Sequence, residues 1–309
     1  MTATQSDAHH SSGYGAITVA MGIGFALIWS SAFTFAKFAL QYAPPLLMLS
    51  GRFMVAGLIA VAIAAALGNR LPRGRDPWMR ITVLGICQNV LYLGLMFVAM
   101  TSIEAGLGAI IGSALPLVVA ALAPAFLHER IGPIKMTGLA LGFLGVIWVM
   151  QNHLGDAPSG ALGTTAGILF AAVGTIALGV GTVVVKHGSF GTGIMMVVGL
   201  QMLVGGIVLA PLGLALESFS DFDITWQFVA AISYIIVGPS LLATWLWFTL
   251  LQRTSATEAG AYHFLNPVFG VAVAWLVLGE QFGWSDWIGI GLVAAGILVV
   301  NRGGRRPPS

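Results

Sequence analysis

The chain repeats itself at a separation that dictates its architecture. Leu127-His128-Glu129-Arg130-Ile131-Gly132 returns as Leu278-Gly279-Glu280-Gln281-Phe282-Gly283, an offset of 151 (280 less 129). The same offset carries Pro116 onto Pro267, Ala121 onto Ala272, Ala123 onto Ala274, Gly138 onto Gly289, Leu141 onto Leu292 and Gly145 onto Gly296. A weaker match joins the starts of the two stretches: Trp29-Ser30-Ser31-Ala32-Phe33 leads to Lys37, and Leu178-Gly179-Val180-Gly181-Thr182 leads to Lys186. The chain therefore reads as two related halves, 16–151 and 164–301, joined by a linker, 152–163. A polar N-terminal tail, 1–15, is expected to be disordered, and a basic tail, 302–309, closes the chain.

Composition places both halves in a membrane. The chain is 58% apolar and 8% charged, with a mean hydropathy of +0.93, where soluble domains carry about 25% charged residues. A span needs about 20 mostly apolar residues. Ten segments qualify, near 16–40, 45–67, 79–100, 104–126, 134–151, 164–187, 193–214, 226–251, 257–278 and 284–301. Pro44-Pro45, Gly132-Pro133, Gly188 and similar turn signals separate them. The first has no Lys or Arg before it and no small-residue cleavage site after it, so it reads as a retained span. Five spans per half is an odd number, which turns the second half upside down relative to the first. The expected fold is an all-α integral membrane protein: ten transmembrane helices as two inverted five-helix repeats. Forty-one glycines suit close helix packing, and the lone Cys87 excludes an intramolecular disulfide.

Charge placement gives this topology an orientation. With the N-terminus in the cytoplasm, the cytoplasmic connections hold Arg70, Arg73, Arg75, Arg80, Arg130, Lys135, Lys186, Arg253, Arg302, Arg305 and Arg306, which are 11 of the 13 basic residues. The external connections hold none, but carry Glu104, Asp156, Glu217, Asp221, Asp223, Glu280 and Asp286. That is the positive-inside pattern, with both termini cytoplasmic.

The Trp29-Ser30 start, the Pro116-to-Glu129 and Pro267-to-Glu280 stretches and the following glycine pairs resemble the EamA branch of the drug/metabolite transporter superfamily. Within that branch the chain is most similar to bacterial aromatic amino-acid exporters of the YddG type. The resemblance covers nearly the whole chain. It implies export of small metabolites across the bacterial inner membrane by alternating access. It also implies a central cavity lined by helices 1, 3, 4, 6, 8 and 9, with helices 5 and 10 at the periphery; no cofactor is expected.

Polar groups inside spans are costly and point to function. Candidates for the cavity are Trp29, Ser30 and Phe33 on the first span, Gln88, Asn89 and Tyr92 on the third, Trp245 on the eighth, and Tyr262, His263 and Asn266 on the ninth. Aromatic walls with a few neutral hydrogen-bonding groups suit an amphipathic, net-neutral solute. The plainer readings are packing for His263, and bridging between helices for Gln88 and Asn89. Lys37 and Arg52 remain inside spans. Snorkelling to the interface is the simpler expectation for both, and attraction of a substrate carboxylate the sharper one. Glu129 and Glu280 are read as caps for the helices that follow them.

The first span holds no acid, no His, Asp or Glu cluster has metal-ligand spacing, and no phosphate-binding glycine loop is present. The expected function is secondary export of small neutral amphipathic metabolites, amino acids including aromatic ones. The alternatives are export of purines or drug-like solutes and, from another class, a membrane-embedded enzyme. The partners are a small-molecule substrate and the lipid bilayer. No nucleic acid is expected, and the oligomeric state stays open, with a monomer compatible.

Overall fold

The computed structural model describes residues 4–103, 108, 111–151, 164–278 and 284–303, and all regular structure among them is helical. The helices are α1 (Thr4–Ala39), α2 (Pro45–Ala66), α3 (Arg75–Ala99), α4 (Leu115–Leu127) and α5 (Pro133–Met150). After them come α6 (Thr164–Lys186), α7 (Ile194–Leu216), α8 (Trp226–Arg253), α9 and α10 (Trp284–Gly303). α9 is composite: Ala256–Ala261, a tight turn Tyr262–Phe264, then Leu265–Leu278. Among the described residues six helices are long and apolar enough to cross a membrane, within α1, α2, α3, α6, α7 and α8. Large apolar side chains such as Leu58, Ile207 and Leu214 stand exposed on their flanks, as a lipid-facing surface requires. Glu104, Asp156, Glu280, Arg305 and Arg306, and with them the linker 152–163, lie outside the described residues.

α1 begins earlier than expected. Residues 4–15 continue the helix instead of forming a disordered tail, because extending a helix past its costly nucleus fixes one residue per added hydrogen bond.

Two antiparallel helix pairs frame the bundle. α2 lies along α7: Ser50 Oγ donates to the Gly206 carbonyl at 2.9 Å, and a Cβ on Gly57 would sit 2.9 Å from the Gly199 carbonyl. α5 lies along α10, where a Cβ on Gly138 would stand 2.9 Å from the Gly296 carbonyl and one on Gly145 2.9 Å from that of Gly289. The glycines that repeat in the sequence are therefore points where backbones touch, and no larger residue fits. The contacts also exchange between repeat positions: Gly138 meets the counterpart of Gly145, and Gly145 meets the counterpart of Gly138.

The connections gather at two ends. At one, the Glu217 carboxylate accepts the Leu46 and Leu47 N–H groups, each at 2.8 Å, and Asp223 N–H donates to the Tyr42 carbonyl. At the other, Thr192 Oγ1 donates to the Arg70 carbonyl, Lys186 Nζ to the Leu251 carbonyl at 2.7 Å, and Lys135 pairs with Glu258 at 3.2 Å. Glu129 also belongs here, and it corrects the sequence expectation. It caps α9, not the helix that follows it, accepting Ala256 N–H at 2.7 Å and Thr257 Oγ1–H at 2.9 Å. The free N–H groups of a helix start take the nearest carboxylate in space, and chain folding brings Glu129 to α9.

Candidate substrate site

The site begins with a break in helical regularity. Residues Ile86–Gly94 of α3 and Ile236–Ala243 of α8 adopt wide π turns. In α8 the wide turn accommodates Pro239, which has no N–H to give a regular helix. It also leaves the Ile235 carbonyl to accept from Ser240 Oγ at 3.0 Å. Ser240 Oγ in turn accepts Arg52 Nε–H from α2 at 2.8 Å.

Arg52 is only 4% exposed. It does not snorkel, because Ser240 draws it inward. Its guanidinium lies 5.2 Å from the Phe53 ring and lines a small cavity with Trp29, Ala32, Phe33, Leu93, Phe97 and Pro239. The cavity volume is about 20 Å³, room for about one water. Among the described residues no carboxylate pairs with Arg52; the ion pair formed there joins Lys135 to Glu258. Lys37, by contrast, is exposed near the end of α1 and stands apart from the cavity.

Trp29 floors this cavity and joins it to a buried aromatic cluster. Its ring stacks with Tyr92 at 6.5 Å and meets Phe25 at 5.5 Å and His263 at 6.4 Å. Trp247 stands edge-on to His263 at 4.8 Å and stacks on Phe25 at 5.0 Å. His263 Nδ1 lies 3.1 Å from Asn266 Nδ2, and Ser30 Oγ donates to the Asn266 carbonyl at 2.7 Å. Trp29, Ser30, Tyr92, His263 and Asn266 thus meet in one place, and Phe33 lines the cavity with Trp29. The remaining candidates sit elsewhere. Asn89 faces α7, donating from Nδ2 to Gln201 Oε1 at 2.6 Å and to the Gln201 carbonyl at 2.9 Å. Gln88 is buried beside it in the π turn. Tyr262 packs on Gly22 of α1, and Trp245 is half-buried, with Trp247 on the inward face in its place.

The two halves each match the same family, the EamA-like transporter family, over residues 16–151 and 165–302. The chain belongs to it. This EamA-like transporter is 28% identical over 275 residues to the uncharacterized transporter YvbV of Bacillus subtilis, covering 89% of this chain and 88% of that one. It is 26% identical to the uncharacterized inner membrane transporter YedA of Escherichia coli K12, across 90% of this chain and 88% of its relative. Protein PecM of Dickeya dadantii is also 26% identical, with 89% of each chain covered. A solved crystal structure shares its fold with a TM-score of 0.76 at 19% identity, covering 94% of this chain and 99% of the other. The protein is a multi-pass membrane transporter and not an enzyme.

Sequence reasoning passed over Ser240, Gln201, Phe25 and Phe97 as site residues. Each is a common packing residue or helix bridge until the π turns and helix crossings bring it to Arg52, Asn89 or His263. A proline followed by serine inside an apolar span, Pro239-Ser240, is the one local signal that marks the break.

Proposed function

We propose that this transporter exports small, net-neutral amphipathic metabolites that carry a carboxylate, amino acids including aromatic ones, from the cytoplasm by alternating access. The observation that carries the reading is Arg52: a buried guanidinium at a cavity, held at Nε by Ser240 and without a carboxylate partner among the described residues. A buried charge left unpaired is costly, and a substrate carboxylate would supply the missing partner through a charge-assisted hydrogen bond. Trp29, Phe33 and Phe97 offer the apolar side of the substrate a wall, and their faces attract an ammonium group. Flat solutes such as purines would also stack there, whereas cationic drugs would meet the guanidinium.

Ten spans in two inverted five-helix halves, both termini cytoplasmic in a bacterial inner membrane, complete the proposal. The antiparallel α2/α7 and α5/α10 pairs and their exchanged glycine contacts support the inversion. Halves of equal orientation would bring those pairs together parallel. The gathering of Arg70, Lys135 and Lys186 at one end supports the orientation.

The test is counterflow in proteoliposomes with labelled amino acids and nucleobases. Amino acids should exchange, and Arg52→Leu should weaken their uptake about tenfold or more, since a hydrogen bond to a charged group contributes about 1.5–3 kcal/mol. Exchange of nucleobases alone, or an Arg52→Leu variant with unchanged amino-acid uptake, would overturn the reading.

A further inference from the structure

The Arg52 cavity has a repeat counterpart, and that counterpart is shut. The register of α2 against α7 follows from their contacts. An offset of 149 (206 less 57) sends Gly57 to Gly206 and Ser50 to Gly199, so the Ser50–Gly206 and Gly57–Gly199 contacts exchange. The same offset relates Lys37 to Lys186, and it sends Arg52 to Gln201 and Phe33 to Thr182. α3 and α8 follow the offset of 151, under which their π turns overlap, Phe97 falls on Phe248 and Asn89 on Ser240. The two buried polar pairs are therefore images of each other: Arg52 with Ser240, and Gln201 with Asn89. The image of the cavity wall includes Thr182, Gln201, Thr244, Phe248 and Gln88, and each of these is at most 2% exposed.

Two atoms in this closed image lack partners. Asn89 Oδ1 and Gln201 Nε2 are fully buried with no hydrogen bond among the described residues, although both side chains have zero exposure. Buried amide groups are rarely left so. One is an acceptor and the other a donor, which is what a zwitterion's ammonium and carboxylate require.

We infer that the region around Gln201, Asn89, Thr182 and Thr244 is a second substrate subsite, the repeat image of the Arg52 cavity, which opens at the opposite end of the bundle and binds a zwitterionic amino acid through neutral hydrogen bonds. This inference rests on the inverted-repeat, alternating-access reading above. In it, the opening of one image requires the closing of the other, because α3 and α8 line both in exchanged roles while α6 and α7 take the places of α1 and α2. The two ends differ in chemistry: the subsite facing the cytoplasm is neutral and the external one cationic.

The experiment places single cysteines at Phe33, Thr182 and Thr244 in a Cys87→Ser background. A membrane-impermeant charged maleimide is then applied separately to right-side-out and inside-out vesicles, with and without saturating phenylalanine. Phe33→Cys should label from outside only. Thr182→Cys and Thr244→Cys should label from the cytoplasmic side only, several-fold more slowly with phenylalanine present. If Phe33→Cys behaves as expected while both others stay unlabelled from either side, label from outside, or ignore phenylalanine, the second subsite is wrong and the Arg52 cavity stands. If Phe33→Cys itself does not label from outside, the cavity reading fails and this inference with it.

Discussion

Trp29 is the residue on which both parts of the site depend, since it floors the Arg52 cavity and closes the aromatic cluster around His263. Its contacts set a scale for mutation. An aromatic pair contributes about 0.5–1.5 kcal/mol beyond area burial, so losing one should change relative affinities about two- to tenfold. Tyr92→Ala, which removes the 6.5 Å stack on Trp29, and His263→Ala should therefore alter the ratio of phenylalanine to valine counterflow by several-fold at normal expression. An unchanged ratio in both would take the third and ninth helices out of the site. Arg52→Lys should fall between wild type and Arg52→Leu in amino-acid uptake. Lysine keeps the charge but lacks the Nε–H that Ser240 receives and the planar fork that suits a carboxylate. These residues were legible as polar or aromatic groups in spans. Their partners were not, because Ser240 meets Arg52 only across a helix crossing.

At the scale of helices, two interactions carry testable stability. The α5–α10 pair tolerates no side chain where backbones meet: a Cβ on Gly138 would lie 2.7 Å from Val300 N, against backbone that cannot swing aside. Gly138→Val should destabilise the protein by about 1–3 kcal/mol, the usual range for overpacking, read as a lower melting temperature in detergent. Gly51→Ala is the control, since nothing lies within 4 Å of its Cβ. The second interaction is the Glu129 cap on α9. Glu129→Ala should cost about 0.5–2 kcal/mol, as cap removal does elsewhere, whereas a loss beyond about 4 kcal/mol, the exceptional range for one substitution, would show that the carboxylate does more than cap. The glycine positions were legible in the repeat itself, because spacing and residue size are both written in the chain. The target of Glu129 was not. Capping is decided by which helix start lies nearest in space, and that helix begins more than a hundred residues further along the chain.

For the molecule as a whole, the proposed topology rests on the basic residues taking the cytoplasmic side. In the Cys87→Ser background a cysteine at Ser220, in the exposed α7–α8 connection, should label from outside intact cells, and one at Gly74, before α3, should not; the reverse pattern would invert the orientation. The sequence by itself determined that this is a helical membrane protein of two related halves and that its family is one of transporters. Those properties depend on hydropathy, turn chemistry and spacing, which act over a few residues at a time. Only the tertiary structure decided which way each helix faces. α2 and α7 are apolar almost all round, so no stripe marks an inward side. Their rotation is set by glycine contacts with each other, and the π turns of α3 and α8 then aim Asn89 and Ser240 at them. The result is a cavity beside a buried cation, an arrangement that exists only once the two halves pack.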